Sequence, residues 1–463
     1  MCKIKHNSGI CKGEREKISL GNVNNKSVEA NLNNMELSSF GGLTILKKEE
    51  EYLSLSGKLA SCINDTRSQY LVHHTIEEII MTRIFQICLG YKDVNDCDRN
   101  RMEPMMRLVI GDDYDKEICS SATMCRFENM VTDEDLANIQ QMFVTIFILS
   151  YNGKAPSHII LDCDDTNVDT YGCQEQTLFN NYYGGYCYMP LLIFEGYSGK
   201  MILPLLRPGR RNKTANISDT LKWLIGSIHA AWPDTIITVR GDSHFCSHEF
   251  MDWAMNPSVR RVFFITGLAS NNVLSSHPVT QRLKQEVMEK YEADGKPVKL
   301  YGRISYKAGT WLYPERVIVK VEITQKGELN IRYIVTNIYN MTDASLYERM
   351  YCNRGKDELY IKEFKEAVNG DRMSCHSFKA NKLRIFIHAA AYVLMHSIRE
   401  RALFGTKLEK ATLLTIRERL LLTAVCIRVM KSKVILDFAM YNPMADELRH
   451  ALLFYQYNHL RIA

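Results

Sequence analysis

The run HIILDCDDTN, His158 to Asn167, carries an apolar strand straight into Asp162, Asp164 and Asp165. A second strand-like run, TIITVRGDS, brings Asp242 to its end. Carboxylates delivered to one point repel each other, so they either fringe a solvated turn or surround a cation. Asp at a strand end before a turn is ordinary turn chemistry, and each aspartate alone reads more readily that way. Two acid-tipped strands lying side by side are a different matter. Mg²⁺ prefers one or two carboxylates together with water and phosphate oxygens. Paired metals clamp the attacking and leaving oxygens of an in-line phosphoryl transfer. Alternation along the first strand sends Asp162 and Asp164 to one face and Asp165 to the other, so Asp162 and Asp165 are expected behind the site or facing solvent.

A third acid strengthens the set. In MYCNRGKDELYIKEFKEA, Tyr351, Arg354, Glu358, Lys362 and Lys365 recur at helical steps and share one face. One aromatic, one carboxylate and three cations make a poor core stripe. They suit a metal ligand flanked by groups that hold phosphates and stack on a displaced base. The plain alternative is a solvated, salt-bridged face with Glu358 paired to Lys362.

The elements that must position these residues can be read from periodicity. Residues 1–35 are polar, Asn- and Lys-rich and without period, and read as a mobile tail. Residues 36–150 are mostly helical: Ile76, Ile79, Ile80, Ile84 and Ile87 fall at helical spacing, Ser120 and Ser121 are candidate caps before a helix carrying Arg126, and Thr132 caps an acidic first turn. Short helices with tight turns fit either a helix-turn-helix DNA reader or a bundle that only packs. From 151 to 274 three strand-like runs, a helix, the TIITVRG strand, a short helix and RVFFITGLA predict a mixed sheet flanked by helices. Residues 275–343 read as a separate β-rich block of three alternating strands, with a hairpin at QKGEL. From 344 to 463 the pattern is mostly helical.

With 463 residues, 46% hydrophobic and 24% charged, the chain has room for several cores and no bias towards disorder. A net charge of +5 permits a nucleic-acid partner without demanding one. Fourteen scattered cysteines with no CxxC suit reduced thiols, and Cys119 with Cys125 is a weak metal pair with no second pair nearby. The start MCKIKHNSGICKGEREK lacks an apolar region for secretion. No apolar run reaches the about 18 residues of a membrane span. The expected location is cytoplasmic and nucleoid-associated, with no membrane partner.

Together LDCDDT, GCQE, YCYMPLLIFEG, LRPG, VRGDSHF, GLASN and YCNRGKDELYIKE…DRMSCHSFKANKLR resemble the DDE transposases of bacterial insertion sequences. The resemblance runs with gaps from about Gly41 to about Pro443 and is nearest to the insertion sequence 1380 group. Tyr351, Arg354, Glu358 and Lys365 fit the Y-(2)-R-(3)-E-(6)-K signature of that superfamily at every spacing. The resemblance implies an RNase H-like α/β catalytic core, interrupted by a β-rich insertion and preceded by a helical DNA-binding domain. It assigns Asp164, Asp242 and Glu358 as catalytic, metal-holding acids, with Asp162 and Asp164 matching the family's D-x-D-x-T; Asp165 stands where relatives often carry a small residue. It implies two Mg²⁺ ions, with Mn²⁺ as a substitute, and hydrolysis at a transposon end followed by attack of the freed 3′-hydroxyl on the opposite strand or on target DNA.

Tyr351, Arg354, Lys362 and Lys365 would then contact double-stranded DNA, as would Arg126 and the acid-free basic stretch containing Arg207, Arg210, Arg211 and Lys213. A homodimer pairing two terminal repeats is the implied synaptic complex. The alternatives are an inactive or repurposed transposase that only binds DNA, and a stand-alone RNase H-like nuclease. A glycosidase with paired carboxylates gives no reason for the cations around Glu358.

Overall fold

The computed structural model describes residues 17–31, 35–111, 114–209 and 217–459. Arg210, Arg211 and Lys213 lie outside them. Lys17–Val23 (β1) and Lys26–Asn31 (β2) pair antiparallel, where the sequence reads as a tail. Asn24 and Asn25, both at positive φ, form the two-residue turn whose twist matches a hairpin.

After the short strand Glu36–Ser38 (β3) come the helices Leu43–Leu53 (α1), Ile76–Cys88 (α2), Ser121–Met130 (α3) and Asp133–Leu149 (α4). The starts of α2, α3 and α4 are fixed locally. Thr75 with Glu78, and Thr132 with Asp135, form reciprocal capping boxes, and Ser120 caps α3. In α2, 11 of 13 residues are buried, so no face remains to enter a DNA groove. α3 is different: only Met124, Phe127 and Glu128 are buried, and Cys125, Arg126 and Asn129 are exposed.

Among the described residues the main sheet has eight strands: His158–Asp165 (β4), Leu191–Glu195 (β8), Met201–Leu205 (β9), Ile236–Gly241 (β10), Val262–Leu268 (β11), Val298–Tyr306 (β12), Glu315–Ile323 (β13) and Leu329–Thr336 (β14). Val168–Asp169 (β5), Leu178–Asn180 (β6) and Gly185–Tyr188 (β7) form a small sheet of their own between β4 and β8. The main order is β12-β13-β14-β11-β10-β4-β8-β9. β4, β10 and β11 run parallel, while β8 pairs antiparallel with β4 and β9 antiparallel with β8. All five residues of β8 are buried, the continuous apolar run expected of a strand covered on both faces.

The block at 275–343 is not a separate sheet. β14 pairs antiparallel with β11, from Ile265 opposite Thr336 to Leu268 opposite Tyr333, and so extends the main sheet. The helix Pro278–Asp294 (α6, after Ile217–Ala231, α5) covers β12 and β13. The pairing closes the edge that β11 would otherwise present to solvent.

Gly355–Val368 (α7) and Phe378–Arg401 (α8) follow. α8 is buried along most of its 24 residues and packs against α2, α7 and β9, joining the N-terminal helices and the sheet in one hydrophobic core. The expected mostly helical C-terminal part is interrupted by a hairpin, Val425–Val429 (β15) and Val434–Phe438 (β16). β15 pairs with β3 from the other end of the chain before Ala445–His459 (α9) closes the fold. No described helix is long and apolar enough to cross a membrane.

Candidate active site

β4 and β10 are parallel neighbours in a register that pairs Cys163 with Gly241. The next residue on each chain is Asp164 and Asp242, so the two acids leave adjacent strand ends at one level, with backbones about 5 Å apart. The carboxyl ends of parallel strands are where open α/β sheets place their ligands. Burial, with the negative charge of Asp242 nearby, pushes the Asp164 carboxyl up to about 6, against the opposing pull of Arg354. Asp165 N–H donates to Asp164 Oδ1 at 3.0 Å.

Asp242 caps a single turn, its Oδ1 accepting from His244 N–H at 2.7 Å. His244 Nδ1 stands 3.2 Å from Asp242 Oδ2. This half-exposed histidine is a neighbour that the sequence reading overlooked. The signal was present in VRGDSHF, two positions beyond the acid.

Behind these acids, Asp162 is fully buried against Arg240, whose Nε and Nη2 reach both carboxylate oxygens. Arg240 Nη1 donates to Met350 O at 2.6 Å, tying the pair to the segment that delivers Tyr351. Gly196 makes room for this pair: a Cβ there would lie 2.6 Å from Asp162 Oδ2 and 2.8 Å from Arg240 Nη2. Asp162 thus supports the site from inside the sheet. Asp165, on the opposite face as alternation requires, is paired with Arg207, which also donates from Nε to Met189 O at 3.0 Å.

The Y-R-E-K residues do not lie on one continuous α-helix. Leu346–Tyr351 is a π-turn and Cys352–Arg354 a 3₁₀ turn, and α7 begins only at Gly355. The change of winding separates the residues that uniform helical steps would align. Tyr351 reaches the acids: a Cβ on Gly267 would lie 2.9 Å from its hydroxyl and 2.8 Å from Ser243 N. Burial and Asp242 raise the Tyr351 phenol, with Arg354 opposing. Arg354, which acts on Asp164, Asp162 and Tyr351 alike, also stands 3.9 Å from Glu358 Oε1. Glu358 itself is 71% exposed, and its cationic neighbour is Arg354 rather than Lys362, which stands 3.8 Å from Glu366.

Lys365 points elsewhere. Its Nζ donates to Asn167 O at 2.9 Å, and burial lowers its pKa. Arg126 is exposed on α3, within 3.4 Å of Thr123 Oγ1. Cys119 is buried and Cys125 exposed. Among the described residues no group of three or more His, Cys, Asp or Glu is close enough to hold a metal ion. Asp164 and Asp242 come together, with Tyr351 and Arg354 beside them; Glu358 approaches only through Arg354.

The site is thus an acid-tipped pair of parallel strands, with an arginine and a tyrosine from a late helical segment beside it. Residues 20–457 match the family model described as transposase DDE domain group 1, and the chain belongs to that family. It is a transposase, a DNA-cleaving enzyme. The chain is also similar to piggyBac transposase, solved by cryo-EM as a synaptic complex with hairpin DNA, with a TM-score of 0.42 and 11% identity over 83% of this chain and 80% of that one. Comparison with curated proteins finds no match.

Proposed function

We propose that Asp164, Asp242 and Glu358 are the three acids with which this transposase cuts and joins DNA, on an RNase H-like core. The observation that carries this reading is the side-by-side emergence of Asp164 and Asp242 from β4 and β10. The order β9-β8-β4-β10-β11, with its antiparallel hairpin and parallel crossovers, supports the RNase H-like layout. In that reading β12 to β14 are the insertion between the second and third acids. The Y-R-E-K spacing supports membership of the insertion sequence 1380 group.

The donor set fits magnesium. Asp164 and Asp242 offer only hard oxygens, and the like-charge repulsion between them is what a cation relieves. Two Mg²⁺ ions, or Mn²⁺, would be held by Asp164 and Asp242, with Glu358 as third ligand after release from Arg354. When bound, such ions stabilise the entering and leaving oxygens of an in-line displacement.

The chain's own residues do the rest. Arg354 offsets the charge of Asp164 before DNA arrives and is then free to turn to a phosphate. Tyr351 presses against Gly267 at the cut, Lys362 faces outward to the backbone, and Asp162–Arg240 fixes the strand ends. Hydrolysis frees a 3′-hydroxyl that attacks the opposite strand or target DNA. Terminal repeats of the element are the expected duplex partner and a homodimer the expected synaptic unit, in the cytoplasm at the nucleoid.

The test is cleavage of DNA carrying the element's ends. Asp242→Asn and Glu358→Gln should each abolish strand cleavage yet retain end binding. Normal cutting by either variant removes that residue from the site. Inverted repeats and a short target duplication flanking the gene should accompany the activity.

A further inference from the structure

The segment between β4 and β8 builds a three-stranded sheet with an aromatic end. Phe179 on β6 lies directly across from Tyr186 on β7, their rings 5.5 Å apart and edge to face. In the turn between these strands Tyr182 and Tyr183 stand 4.9 Å apart, also edge to face. Phe179, Tyr186 and Tyr182 are 53%, 58% and 87% exposed, although Cys187 and Tyr188, the next residues of β7, are buried. The end of the sheet at the β6–β7 turn is therefore bare and aromatic, while the end nearer β5 is buried. Contiguous exposed apolar surface of this kind marks a binding face.

Position and chemistry together say what it binds. β5 begins three residues beyond Asp165 and is part of this sheet, so the platform is continuous with the strand that delivers the acids. Tyr183 lies within the fields of Asp164 and Asp165, which join burial in raising its phenol. A DNA strand whose phosphate sits at Asp164 and Asp242 has to leave across neighbouring surface. Phosphates would call for cations, but this face offers flat rings. Rings fit the faces of nucleobases, and only unpaired bases can present them, because a duplex keeps its bases stacked inside.

We propose that Phe179, Tyr182, Tyr183 and Tyr186 form a stacking platform for unpaired bases of the DNA strand beside the scissile phosphate. The proposal rests on the active-site reading above. It is tested by binding rather than cutting, so the two can fail separately.

The probes are an oligothymidylate of roughly 20 nucleotides, longer than one single-strand groove, and an abasic strand of equal length. Both are titrated against the full chain by fluorescence anisotropy. Base–aromatic stacking predicts that Phe179→Ala/Tyr182→Ala/Tyr186→Ala weakens oligothymidylate binding at least about fivefold, with abasic binding unchanged. Tyr182→Ala alone touches no core and should weaken binding in the same direction, while Tyr182→Phe, which keeps the ring, should not. Equal oligothymidylate binding by the triple variant and the parent overturns the platform, whatever Asp242→Asn does to cleavage. So does an equal loss on the abasic strand. A change of oligomeric state by light scattering with strand binding intact also overturns it, and makes the face a protein interface.

Discussion

Arg240 grips both carboxylate oxygens of Asp162 inside the sheet and spends its remaining Nη1 on the carbonyl of Met350. One guanidinium therefore joins the first acid-bearing strand, the second, and the segment leading to Tyr351. Removing one partner of a buried ion pair strands the other charge, a loss of about 3–5 kcal/mol. Asp162→Asn should lower the unfolding free energy by an amount of that order in urea melts. Asp165→Asn, whose partner Arg207 is partly exposed, should cost far less.

Asp164 should weaken the fold it serves. Its folded pKa of about 6 lies above its usual value of 3.8. Between those values the folded state holds a proton that the unfolded state has lost, so this group makes stability fall as pH rises through the window. Asp164→Asn removes the penalty. In metal-free protein it should raise the melting temperature above pH 6, with a gain in stability of up to about 3 kcal/mol for this shift, and the gain should vanish below about pH 4. Calorimetry across pH 4–8 checks this; a gain equal at both ends would show that ionisation is not the cause.

How much of this could be read from the residues depends on the range of the signal. Alternation along HIILDCDD correctly separates Asp162 and Asp164 from Asp165, because the strand period is local. Capping boxes at Thr75 and Thr132 are local too. What alternation cannot show is which edge a strand joins. KLYGRISY and its two successors read as an independent block, yet β14 docks on β11. β15 likewise finds β3 at the far end of the chain. The Y-R-E-K face depended on a uniform helix, and the π and 3₁₀ turns between Leu346 and Arg354 break that assumption. Net charge hid pairings: Arg207 reads as a phosphate contact in a basic stretch, but its partner Asp165 comes from another strand.

His388 and His396 should make the protein acid-sensitive. Both are buried in α8; His388 Nδ1 meets Val368 O at 2.6 Å and His396 Nε2 meets Ser198 O at 3.0 Å. Glu400 stands 3.6 Å from His396 Nδ1 but is shared with Lys200. Burial lowers each imidazole from 6.5 to about 3. Between those values the unfolded chain binds protons that the folded one refuses, so stability is lost as pH falls below about 6.5. The slope is at most about 1.4 kcal/mol per pH unit for each histidine, and two histidines outweigh the opposite trend of Asp164. Denaturant melts should show midpoints falling from pH 6.5 to 5. His388→Gln/His396→Gln should be less stable at pH 7 but distinctly flatter with pH.

Lys365 offers a choice between two roles that one measurement separates. If its ammonium bound a DNA phosphate, Lys365→Ala would weaken DNA binding on all sequences and reduce the salt slope by about 1. Its Nζ instead donates to Asn167 O, two residues past Asp165, so α7 is latched to the loop that follows the first acid. A latch predicts a different pattern. Lys365→Ala should keep the parent's salt dependence of binding, while single-turnover cleavage falls about 10- to 100-fold, the scale on which small misplacements of reacting groups act. Lys365→Arg, which can still donate to a carbonyl, should recover part of that rate. Loss of one phosphate contact in the salt slope, with cleavage restored at saturating DNA, would return Lys365 to the DNA interface.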